Sequence, residues 1–132
     1  MPDNAATIIR RYVDAFNAED VDALAGLYAE STDYRQPLAP EPLTSPAAVR
    51  AFEGGMFGQF HDVNVEVEWF IPGDEDAAAG FIVSATHNES GVRVSLQTAE
   101  HVRVDADGKI VEHTRYTDSA AFLAQLGSPA TM

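Results

Sequence analysis

Residues 92–104, VRVSLQTAEHVRV, alternate as a β-strand whose apolar row runs Val92, Val94, Leu96, Thr98, Val102 and Val104. Glu100 stands in the same row. An unpaired buried charge costs several kcal/mol, so Glu100 has to be paired, protonated or turned into a cavity. The tight turn DADG then leads into KIVEHTRYT and brings Glu100 beside a strand that carries His113 and Arg115. Pattern leaves the inward face of this last strand open: Ile110 and Tyr116 share one parity, Val111, His113, Arg115 and Thr117 the other. If the second set faces inward, Glu100 lies within cross-strand reach of an imidazole and a guanidinium. That arrangement suits a tuned acid/base group. It suits equally an ion pair that only fixes strand register.

Other polar candidates are sparser. Tyr12 sits on the apolar stripe of a helix, with its hydroxyl in need of a partner. Tyr34 and Gln36 share one face of a short strand and could supply hydrogen bonds to a cavity, or belong to a polar edge. His61, His87 and His101 read as ordinary surface residues. No pair of histidines has ligand spacing such as HxH or HExxH, so no metal is expected. FEGGMFG lacks the Lys-Ser/Thr ending of a phosphate loop, no serine nucleophile elbow is present, and no cofactor is expected.

These residues need a scaffold, and 132 residues make one domain, 1–132, with an ordered core over about 5–127. A hydrophobic share of 45% argues for a folded globule. With no cysteine there is no disulfide, thiol nucleophile or thiolate site, which fits a reducing cytoplasm, the expected location. No apolar run has membrane-spanning length, and MPDNAATIIRR lacks the parts of a signal peptide. The net charge of −13 repels nucleic acid and anionic membranes, and the few cations are scattered.

Helical spacing covers residues 5–16, with Ile8, Ile9, Tyr12, Val13 and Phe16 inward. Asp20 caps a second helix expected over 21–30, with Val21, Leu24, Leu27 and Tyr28 on one face. TDYRQP reads as a short strand stopped by Pro37. Ser45-Pro46 starts a third helix, whose stripe is expected to be Val49, Phe52, Met56 and Phe60. VNVEVEWF places Val63, Val65, Val67 and Trp69 on one face, and GFIVSATH does the same for Phe81, Val83 and Ala85. SAAFLAQLG closes the chain as a short helix, with Gly127 at its end. Helix, helix, strand, helix and then four antiparallel strands imply an α+β fold, a curved sheet around a helical layer. Such a sheet leaves a cavity, and Phe52, Met56, Phe81, Val83, Leu96 and Thr98 lie on faces that could line it.

RRYVDAFNAEDVDALAGLYAESTDYRQP, LTSPAAVRAF and EHVRVDADGKIVEHTRYTDSAAFLAQLG together resemble the SnoaL-like and ketosteroid-isomerase-like branches of the NTF2-like superfamily. The resemblance implies a cone-shaped α+β barrel with a deep apolar pocket. It also implies a homodimer paired through the outer sheet face, and it favours Val111, His113, Arg115 and Thr117 as the pocket-facing set. Carried over from the isomerases, the oxyanion-binding tyrosine falls on Tyr12, a supporting tyrosine of the second helix on Tyr28, and the protonated oxyanion-binding acid on Glu100. The general-base aspartate falls on Gln36, whose amide takes up no proton at neutral pH. The cyclase pattern breaks as well: its catalytic aspartate falls on Arg115 and its pocket histidine on Glu100.

Three classes of function therefore stand, the third being an association module whose outer sheet face matters more than its cavity. The first is an enzyme moving a proton on a small, mostly apolar carbonyl compound by isomerisation, cyclisation or dehydration. Tyr12, Glu100 and His113 would do the chemistry, and Tyr28, Tyr34, Gln36 and Arg115 would join the lining residues as substrate contacts. The second is a non-catalytic binder of such a ligand, with Gln36 marking the absent base. Glu100 is expected to titrate above a free carboxylate unless Arg115 pairs with it directly.

Overall fold

The computed structural model describes residues 3–127. Helix α1 (Ala5–Asn17) starts where the Asn4 side chain accepts the Thr7 N–H, and it buries Ile8, Ile9, Tyr12 and Phe16 along one stripe. Helix α2 spans only Val21–Ala25, with Asp20 as its cap. The expected continuation to residue 30 does not form. Gly26 ends the helix, the Ile110 N–H donates to the Leu27 carbonyl, and the Thr32 hydroxyl donates to the Ile110 carbonyl. Pairing with the last strand thus replaces a further helical turn. Tyr28 opens strand β1 (Tyr28–Arg35) and does not sit on a helix.

Ser45 and Pro46 start α3 (Pro46–Phe57) as expected, with Ser45 Oγ accepting the Ala48 N–H. The helix stops at Phe57, so Phe60 belongs to strand β2 (Phe60–Ile71) and not to the helical stripe. Residues 49 and 53 are the buried ones on α3, while Phe52 and Met56 are half-buried.

In β2 the expected row breaks at a register shift between Val67 and Trp69. Val65 is buried, but Val67 and Trp69 are 45% and 43% exposed, and Phe70 turns to the core instead. The Trp69 indole covers Gly80, where an added Cβ would stand 2.0 Å from Nε1. A side chain at position 80 would have to displace that ring.

Strands β3 (Asp76–His87) and β4 (Arg93–Val104) pair antiparallel without a shift. Their inner rows, Ala77 to Ala85 and Val94 to Val104, follow the alternation in the sequence, and Val92 lies just before β4. A shift between Arg103 and Val104 precedes β5 (Ile110–Thr117). As a result Ile110 is fully buried and Val111 only half-buried, opposite to the expected parity at that end, whereas His113 and Arg115 do face inward. Helix α4 (Ser119–Gln125) follows, and Gly127 takes φ 82° just beyond it.

The sheet order is β1-β5-β4-β3-β2, with β1 parallel to β5 and every other pair antiparallel. This makes a curved, mixed α+β sheet. One core packs α1 against it around Tyr12, Phe16, Tyr34 and Phe81. A second gathers Phe60, Val94 and Phe122 at the α4 end. Among the described residues no helix is long and apolar enough to cross a membrane.

Candidate functional site

Between the two cores lies a cavity of about 60 Å³. Its wall is largely apolar, with five aromatic rings: Phe16 from α1, Phe52 and Phe57 from α3, Phe60 from β2 and Phe122 from α4. Met56, Val83 and Leu96 add aliphatic surface. Three polar side chains reach the wall from three separate elements: Gln36 just after β1, Glu53 on α3 and Arg115 on β5.

The register places Glu100 opposite Arg115 and Val102 opposite His113. Glu100 is 3% exposed and His113 1%. His113 Nε2 lies 2.7 Å from Glu100 Oε1, and the Thr98 hydroxyl donates to Oε2 at 2.9 Å. Arg115 Nε lies 3.2 Å from the same Oε2. Burial acts to raise the Glu100 pKa, but the Arg115 charge and the His113 and Thr98 hydrogen bonds together hold it at about 2. The expectation of a raised, protonated Glu100 is therefore corrected, because the guanidinium pairs with it directly. An ionised Glu100 accepts hydrogen bonds and donates none, so it cannot act as an acidic oxyanion donor.

That charge state orders the whole chain of contacts. Burial pushes the His113 pKa down, against the opposing pull of Glu100, so the ring is neutral at pH 7. With Nε2–H donated to Glu100, Nδ1 is left as an acceptor, and the Tyr28 hydroxyl 2.8 Å away donates to it. The ring is also sandwiched: Tyr34 stacks on it at 4.1 Å between centroids, and Tyr12 meets it edge-on at 5.3 Å. Both ring nitrogens are taken, and His113 has none to offer the cavity.

Arg115 is the link between this layer and the cavity. Its Nη2 donates to the Tyr12 hydroxyl, and its guanidinium stands 5.8 Å over the Phe16 ring. Although Nε is within ion-pair distance of Glu100, its N–H is not aimed at an acceptor and is buried without a hydrogen-bond partner. Gln36 is in a similar state. Its Oε1 accepts the Leu38 N–H at 3.1 Å, while Nε2 is buried and unpartnered. An unmatched amide donor and a buried guanidinium at one apolar cavity are the unusual feature of this site.

The residues anticipated from sequence thus divide into two layers. Gln36, Phe52, Met56, Val83, Leu96 and Arg115 line the cavity. Tyr12, Tyr28, Tyr34, Thr98, Glu100 and His113 stand behind it as the network that holds Arg115, and Phe81 stacks on Tyr12 in the core. Glu53 was not anticipated. Its signal was present: it lies four residues from Val49 on the buried helical face, a carboxylate in an apolar row like Glu100. It is 2% exposed and accepts the Tyr34 hydroxyl at 3.3 Å. Burial raises its pKa against the opposing charge of Arg115.

The fold recurs in solved structures. A ketosteroid-isomerase-like-fold protein from Catenulispora acidiphila, in complex with trimethylamine, superposes with a TM-score of 0.82 at 16% identity over 95% of either chain. AclR of Streptomyces galilaeus, a hydroxylase candidate, matches at 0.75 and 25% identity over 92% of this chain and 93% of its own. IdmH of Streptomyces antibioticus, a polyketide-cyclase candidate, matches at 0.76 and 22% identity over 93% and 98%. Residues 9–113, from the first helix stripe to the imidazole behind Arg115, match the SnoaL-like domain, and the chain belongs to that family.

Proposed function

We propose that the protein binds a small, mostly apolar compound that presents a carbonyl or oxyanion to Arg115 and Gln36. The observation that carries this is the Gln36 Nε2 donor, buried without a partner at an apolar cavity whose wall also carries the Arg115 guanidinium. A buried unmatched donor costs about 1–3 kcal/mol, a cost that a ligand oxygen would remove. The cavity's size selects a compact group, since pockets for drug-sized molecules run to roughly 300–1,000 Å³. Tyr12, Glu100 and His113 serve this reading as positioning residues, fixing the guanidinium and keeping it charged. Proton transfer on the bound carbonyl compound is the chemistry such a site suits.

The probe is 4-nitrophenol, whose absorbance reports its ionisation. Binding with the bound form drawn toward phenolate is expected, and Gln36→Leu should weaken it by about tenfold, the loss of one hydrogen bond to a charged group. Absence of binding, or binding indifferent to residue 36, would remove the basis for the reading.

We also propose a homodimer through the outer sheet face. Register aligns Trp69, Gly80, Ala99 and Tyr116 in one row across four strands. Its two aromatic ends are 43% and 64% exposed, an apolar band of the kind that marks an interface. Light scattering at micromolar concentration should give twice the 14.2 kDa chain mass. A monomer mass there would rule the pairing out at that concentration.

A further inference from the structure

Among the described residues Glu53 is the one carboxylate on the cavity wall, and it forms no ion pair. Its only side-chain hydrogen bond is the 3.3 Å contact from Tyr34, which is long for an O–H donor. One long bond does not offset the burial of a carboxyl group, and a tyrosine hydroxyl can be satisfied at lower cost by a backbone carbonyl. Packing alone would favour a leucine or methionine at this helix position. What position 53 has in addition is its place: it shares the cavity with Arg115 and Gln36 but comes from a different wall, α3 rather than the sheet.

From this placement we infer that Glu53 is the catalytic base of the cavity, taking a proton from a carbon next to a carbonyl and returning it to the same molecule. The inference rests on the reading in which Arg115 and Gln36 receive the carbonyl oxygen. With a β,γ-unsaturated ketone, the Glu53 carboxylate removes the α-proton, and the C–H electron pair becomes a C=C bond of a dienolate. The carbonyl oxygen takes the negative charge, facing the Arg115 guanidinium and the Gln36 amide. The carboxylic acid then delivers the same proton to the γ-carbon. The product is the conjugated ketone, Glu53 is ionised again, and nothing is oxidised or reduced. The base thus lies on α3, and Gln36, at the position where the resemblance expects an acid, becomes a donor to the oxygen.

The groups facing Glu53 support this role. Tyr34 approaches from β1, Arg115 from β5, and Glu100 from β4 behind Arg115. Burial and Glu100 raise its proton affinity, while Arg115 and Tyr34 lower it, with a net upward shift. A base that works near neutral pH needs that direction. Glu100, at about 2, is too weak a base and has both oxygens occupied.

The test uses the whole protein and cyclohex-3-enone, a compact β,γ-unsaturated ketone, with formation of cyclohex-2-enone followed by absorbance. Wild type should accelerate the isomerisation and, in D2O, give a product that retains the transferred hydrogen, with a rate that rises with pH through a value above the ordinary 4.5 of glutamate. Glu53→Gln should lose about 10²- to 10⁴-fold in rate and the pH dependence with it. It should bind 4-nitrophenol no more weakly, because a competing negative charge is gone. Glu53→Asp, which keeps a carboxyl, should retain part of the rate and the shape of the pH profile. It also serves as the informative variant if Glu53→Gln folds poorly. Unchanged isomerisation in Glu53→Gln would overturn the assignment, as would a wild type that binds 4-nitrophenol yet does not isomerise the ketone. A wild type that fails to bind 4-nitrophenol at all would overturn the oxygen-receiving cavity itself, so the two failures are distinct.

Discussion

Arg115→Ala should destabilise the fold at pH 7 by about 3–5 kcal/mol, the cost of leaving a buried carboxylate without its counter-charge. Glu100 is buried on an inner strand, and among its partners only Arg115 carries a charge at neutral pH. The sign of the pH dependence follows from the shifted group. The carboxyl is held at about 2, below its ordinary 4.5. Its contribution is therefore fully present above pH 4.5 and is lost as pH falls toward 2, on the order of 3 kcal/mol in all. His113 works in the same direction. Its folded pKa lies below the ordinary 6.5, so the neutral ring favours the fold above that pH and the preference fades on acidification. In Arg115→Ala the largest downward pull on Glu100 is gone, burial dominates, and the carboxyl should titrate well above 4.5. The stability gap between wild type and variant should accordingly be widest near neutral pH and shrink in acid. Urea denaturation of both proteins at several pH values from 7 to 3 measures this. A gap under about 1 kcal/mol, or one that does not change with pH, would mean that Glu100 is held by its hydrogen bonds and not by the guanidinium.

The alternation in VRVSLQTAEHVRV was enough to place Glu100 on an inner face, because β4 pairs with β3 along its whole length without a bulge. The Ser45-Pro46 start of α3 was legible for a similar reason, being a local capping device that needs no tertiary partner. Elements that depend on distant pairing were not. Tyr28 fits a helix equally well by spacing, and only the parallel contact of β1 with β5, about 80 residues away in sequence, draws it into a strand. Trp69 and Val111 changed faces at register shifts, which leave no mark in a period-2 pattern. Glu53 differs from these. Its position beside Val49 and Phe52 was visible, but helices display glutamate so often on solvated faces that spacing alone did not set it apart. The direction of the Glu100 shift needed the distance to Arg115, since burial and a neighbouring cation act oppositely on the same group.

Whether the Glu100–Arg115 pair exists to fix the fold or to present a cation to the cavity is decided by removing both charges together. A buried pair replaced jointly by uncharged residues of similar volume is often neutral in stability, unlike either charge removed alone. In Glu100→Gln with Arg115→Met, the new amide oxygen can still accept the His113 Nε2–H, and methionine refills the volume of the arginine stem beside Phe16. Tyr12 loses the donor to its hydroxyl, so recovery should be partial. The double variant is expected to be more stable than Arg115→Ala by about 2 kcal/mol, with a coupling between the two sites that far exceeds additive behaviour. Its affinity for 4-nitrophenol should nevertheless fall by at least about tenfold, since the bound phenolate has lost its only cation at the wall. A double variant that regains stability and keeps full affinity would show that the ligand oxygen is received elsewhere. One that stays as unstable as Arg115→Ala would mean that the pair fixes strand register, with Arg115 at the cavity as a consequence of β4–β5 pairing. The expected combination, a fold largely restored around a cavity that no longer holds an oxyanion, separates the two roles, because register needs only a matched pair of side chains whereas charge at the wall needs arginine.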